Sequence, residues 1–106
     1  MDDILIDTRL TLHALLVGIM APNKVYFQPP SSIKLTYPCI IYRLDGISTN
    51  YADSVKYKNK KRYTVTVIDQ DPDSIIPSSI LSLDYCSFDR SYVSDNLNHY
   101  FFTLYY

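Results

Sequence analysis

Asp69, Asp71 and Asp73 stand at alternate positions in the stretch VTVIDQDPDSIIP, Val65 to Pro77. Carboxylates spaced this way open a calcium-binding loop, because a hard cation collects oxygen ligands from positions 1, 3 and 5 of a tight turn. Such a loop goes on to need glycine at its sixth position and a bidentate glutamate at its twelfth. Those places hold Ser74 and Ile80. A structural role accounts for more of the residues. With Ser74 as N-cap, Ile75, Ile76 and Pro77 become N1 to N3, where a missing N–H costs the helix nothing. Asp71 and Asp73 then lie near the positive helix end, and Pro72 holds Asp71 extended so that strand and helix stay separate. The competing expectation is a metal-dependent enzyme built on Asp69, Asp71 and Asp73.

Other chemistry is sparse. His13 falls at helix spacing from Arg9 and Val17, and His99 lies in an aromatic run; neither has a cysteine or carboxylate nearby in a zinc or nucleophile pattern. Gly18 and Gly46 are the only glycines, so there is no phosphate-binding loop. Cys39 and Cys86 lie 47 residues apart, neither in a CxxC pair, and are expected to be reduced, buried thiols. The densest charge is basic: Lys56, Lys58, Lys60, Lys61 and Arg62 carry five positive charges within seven residues, interleaved with Tyr57 and followed by Tyr63. Such a stripe serves a nucleic-acid contact, or it is a solvated hairpin whose lysines discourage edge aggregation.

The elements positioning these groups follow from periodicity. Ile4, Leu5, Leu12, Leu15, Leu16 and Ile19 gather on one helical face between Asp2 or Asp3 and Met20, and Ala21-Pro22-Asn23 ends that helix. Its narrow stripe predicts a helix lying across a sheet. Val25 to Phe27 is a short strand closed by Gln28-Pro29-Pro30, and Tyr37 to Leu44 is a strand expected mid-sheet and covered on both faces. Asp45 to Lys58 is polar and reads, with the alternating strand Lys60 to Asp69, as a long antiparallel hairpin with an extended arm. Ile75 to Leu83 forms a short helix with Ile76, Ile80 and Leu83 on one side; Tyr85 to Tyr92 and Asn98 to Tyr106 are two further strands. The expected fold is α+β: one domain over residues 1–106, with two helices packed on a mostly antiparallel sheet of four to five strands.

A chain of 106 residues buries roughly two-thirds of its unfolded surface in one core. No apolar stretch approaches the roughly 18 residues of a membrane span. The N-terminus, MDDILIDTRL, is acidic where a signal peptide would be basic, which predicts a cytosolic protein. Net charge is −1, so no global charge points to nucleic acid. Eleven tyrosines with four phenylalanines and no tryptophan suit surfaces that become buried against partners.

Three segments in order, VYFQPPSSIKLTYPCIIYRLDGISTNYAD, KYKNKKRYTVTVIDQDPDS and YCSFDRSYVSDNLNHYFFTLYY, give the chain from Val25 to Tyr106 a wider pattern. It resembles the tail-completion proteins, also called tail-terminator or tail-to-head joining proteins, of long non-contractile-tailed phages and prophages. The resemblance implies a non-enzymatic virion component without cofactor, present in the host cytoplasm before assembly and in the virion neck afterwards. It would form a ring, expected to be hexameric, between the tail tube protein and the head-completion protein, around a channel for DNA. Tyr57, Lys58, Lys60, Lys61 and Arg62 are then candidates for the interface or lumen, while Asp71, Asp73 and Ser74 are the structural turn and cap. The alternative use of the basic arm is that of a small protein-binding module.

Overall fold

The computed structural model describes residues 8–21, 24–52 and 55–106, with side chains described in these except 8 and 48–60. Ile4, Leu5 and the acidic N-terminal residues assigned above to the first helix, and Pro22-Asn23 after it, lie outside the described residues.

Helix α1 spans Thr8–Ile19. Leu12 and Leu16, one turn apart, are fully buried, and Val17, Ile19 and Met20 pack beside them. Leu15 departs from the expected stripe and is 40% exposed. The core side of the helix is turned toward Val17 and Met20, which leaves the opposite flank in solvent. Strand β1, Val25–Phe27, ends where Gln28 enters the left-handed region at φ 46 before two prolines.

Strand β2, Cys39–Ala52, and strand β3, Val55–Asp69, form one antiparallel ribbon paired from Cys39↔Ile68 to Ala52↔Val55. The polar segment after Leu44 is therefore strand, because its backbone groups bond across the hairpin whatever its side chains are. Helix α2 spans Ile76–Leu81, ending two residues earlier than its apolar spacing suggested. Ile80 is fully buried, with Ile76 and Leu83 beside the core as expected. Strands β4, Cys86–Ser94, and β5, Leu97–Tyr105, follow. Asp95 and Asn96, at φ 54 and 62, supply the two-residue turn that joins them.

The five strands run β1-β2-β3-β5-β4; β1 and β2 are parallel and every other pair is antiparallel. The α+β expectation holds, with β3 rather than β2 at the centre. Register divides the sheet into two unlike faces. Ile40, Tyr42, Tyr63, Val65, Val67, Phe102 and Leu104 share the face under the helices, and all are essentially inaccessible. Ile41, Arg43, Thr64, Thr66, Phe101 and Thr103 alternate with them on the other face. No helix lies there. Ile41 is only partly buried, so β2 is not evenly covered on both sides.

Candidate functional site

The aspartate comb folds as two successive Asx turns. Asp69 Oδ1 accepts from the Asp71 N–H at 3.0 Å, and Asp71 Oδ1 accepts from the Asp73 N–H at 2.9 Å. Each carboxylate thereby serves its own backbone two residues on, as short acidic side chains do at turns. Asp69 is buried, whereas Asp71 and Asp73 are exposed. Among the described residues no three His, Cys, Asp or Glu side chains are placed to hold a metal ion together. The cap differs by one residue from expectation: Ile75, at φ −88 and ψ −10, is the N-cap and carries no side-chain cap bond, which puts Pro77 at N2. Ser74 still contributes, since its hydroxyl accepts the Ile76 N–H at 3.2 Å. A turn closed by the Ser74 N–H on the Asp71 carbonyl precedes the helix, and Ile75 already has helical angles.

A second polar cluster, missed in the sequence, lies under α1. His13 Nδ1 and the Tyr42 hydroxyl are 2.6 Å apart, and Arg9 Nη1 donates to the same hydroxyl at 3.4 Å. The Arg9 guanidinium also sits 4.5 Å above the Phe27 ring. Burial pushes the Tyr42 phenol above its ordinary pKa, against the opposing pull of Arg9. A buried phenol needs hydrogen-bond partners. The arrangement meets that need across two elements distant in sequence.

The two thiols are free. Cys39 is buried as expected, and burial pushes its pKa up to about 11. Cys86 is only partly buried; its pKa is raised by the same cause.

The remaining candidates lie on the hairpin and the helix-free sheet face. The β3–β5 pairing stops at Arg62↔Tyr105, with backbone bonds carrying it as far as Lys61 and Tyr106. Residues 48–52 and 55–60 thus pair as a two-stranded arm with no third strand among the described residues. The side chains of Tyr57, Lys58 and Lys60 lie outside the described residues. Lys61 and Arg62 fall on opposite faces by strand alternation, so only Arg62 of these two joins the open face. Arg62 Nε donates to Asp45 Oδ2 at 3.2 Å, and Thr64 Oγ1 donates to the same oxygen at 3.3 Å. The Tyr105 hydroxyl and the Asp45 charge raise the Arg62 pKa further. Asp45 is the extra residue where register shifts between Leu44 and Gly46. Gly46 belongs to the same device: a Cβ there would come within 2.9 Å of Arg62 Nη2. Both charged groups are more than two-fifths exposed, so the pair orients Arg62 more than it stabilises the fold.

Sequence reasoning missed two more arginines that the register brings to this face. Arg43 lies opposite Thr64 and borders a groove of about 390 Å³ with Pro29, Pro30, Ile33, Leu35 and Ile41. Among the described residues it has no hydrogen bond or ion pair. Arg90 sits 4.5 Å above the Phe101 ring; Phe101 stacks on Tyr92 with centroids 5.6 Å apart, and Tyr92 on His99 at 4.6 Å. The available signal was the alternation Arg90, Tyr92 on β4 against His99, Phe101 on β5. No family model and no curated protein matches this chain.

Proposed function

We propose that the protein is a tail-completion protein: a non-enzymatic subunit that assembles as a ring, hexameric by the resemblance, on the end of a phage tail tube and joins it to the head connector around the DNA channel. The observation carrying this reading is the arm of residues 48–60, which extends beyond the last strand that β5 supports. At the usual rise it reaches about 20 Å past the sheet. The whole chain is 50 Å long but 24 Å in each other direction. An unsupported two-stranded ribbon is marginal in water and gains stability when packed against something. In a ring the neighbouring subunit is available for that purpose. Identical subunits in a ring contact one another through two different patches, and the closing rotation sets their number. An arm at one end of an asymmetric body suits such a contact. The ordered resemblance from Val25 to Tyr106 supports the same reading.

Electron microscopy of particles assembled without this protein is the test. The expected result is filled heads and separate tails, the tails abnormal in length. Normally joined particles with tails of normal length would sink the reading.

A further inference from the structure

We infer that the helix-free face of the sheet is a docking surface for the phosphate backbone of a nucleic acid, bound without regard to base sequence. The chain carries a net charge of −1, yet three of its four arginines share one face of the sheet. Arg43, Arg62 and Arg90 are on this face, and its one acidic residue among those described, Asp45, is already engaged by Arg62 and Thr64. The other described aspartates stand at strand ends, at turns and at the outer-strand bulge: Asp69 at the end of β3, Asp71 and Asp73 after it, Asp84 before β4, Asp89 at the bulge and Asp95 in the last turn. Thr66 and Thr103 add hydroxyls between the arginines. Cations interspersed with hydroxyl donors are the usual equipment for phosphate oxygens.

The aromatic residues limit the kind of recognition. Tyr92 is stacked between His99 and Phe101, and Arg90 covers a face of Phe101. Rings engaged with one another and with Arg90 have fewer faces to offer to bases, which favours backbone contact over single-strand stacking. An acidic patch on a second copy is the weaker occupant. Among the described residues the nearest thing to one, the aspartate turn, has Asp69 and Asp71 committed to backbone N–H groups. This inference does not rest on the tail-completion reading, because it concerns a surface of the isolated chain.

Fluorescence anisotropy of the whole protein with a labelled mixed-sequence DNA duplex tests it. Affinity should fall linearly with salt on logarithmic axes, by about 0.9 per phosphate contacted. Arg43→Gln breaks no internal bond; it should lower that slope by about 0.9 and weaken binding about eightfold at ~0.1 M salt. Adding Arg90→Gln should lower both again, whereas Lys61→Gln, on the other face, should cost less than about twofold. Absence of salt-dependent binding, or equal losses from Lys61→Gln and Arg43→Gln, would overturn the inference. So would two other results: polyglutamate competing as well as DNA, or Arg43→Gln dissociating an oligomer of the chain.

Discussion

The two halves of β3 share one backbone and one partner strand, yet they are held by different forces. From Arg62 to Asp69 the strand has β2 on one side and β5 on the other, and Tyr63, Val65 and Val67 are buried beneath the helices. From Val55 to Lys60 it has β2 alone. Backbone pairing is common to both halves, so it cannot be what separates them. What the body adds is a third strand and a buried apolar row, and apolar burial supplies most of the favourable free energy of folding. The comparison teaches that the sheet body is built for stability and the arm for reach.

The largest effect should come from the body. Phe102 faces Val65 across the β3–β5 pair and packs edge-on against Phe88 at 5.6 Å. Phe102→Ala should cost about 3–5 kcal/mol in urea unfolding, through lost transfer energy and a residual cavity. A loss near that of an exposed site would break the distinction between the two halves. The next effect is a pH dependence. Cys39, fully buried, has its pKa raised from 9.0 to about 11 by burial, so the folded state holds its proton more tightly than the unfolded chain. Its stabilising contribution is fully present below about pH 9 and is lost as pH rises toward about 11, with a magnitude of roughly 2–3 kcal/mol. The melting temperature should therefore fall across that window, and less steeply in Cys39→Ala. Tyr42 and Tyr63, also raised by burial, add to the fall in both proteins. The smallest effect belongs to the arm. Ile47 and Lys61 are paired, so an Asn-Gly turn replacing residues 48–60 closes the shortened hairpin in register. Thermal stability of the isolated chain should change by less than about 1 kcal/mol, as for other changes that remove no core contact. A larger loss would mean that the arm helps hold the body together.

Much of this was legible in the sequence because it depends on short-range periodicity. The spacing of Leu12, Leu16 and Ile19 identified α1, and the alternation of Tyr63, Val65 and Val67 identified the strand that became the centre of the sheet. The arm was legible as well, from a polar segment between two strand signals. The helix boundary at Ile75 was missed by one residue, since capping depends on backbone angles that the types of Ser74 and Ile75 leave open. Leu15 was assigned to the wrong side because periodicity defines a stripe but not the direction the partner sheet approaches from.

By itself the sequence determined the local elements and their order, because propensity, alternation and turn chemistry act over a few residues. It also determined that the aspartates lack the later ligands of a calcium loop. Only the tertiary structure decided where the charges meet. Arg43, Arg62 and Arg90 are separated by tens of residues and belong to three different strands, and their common face follows from the register of β2 with β3, β3 with β5, and β5 with β4. A slip of one residue in any of these ladders would move an arginine to the opposite face. The same long-range pairing brought His13 and Arg9 onto the Tyr42 hydroxyl, a contact that no local pattern encodes.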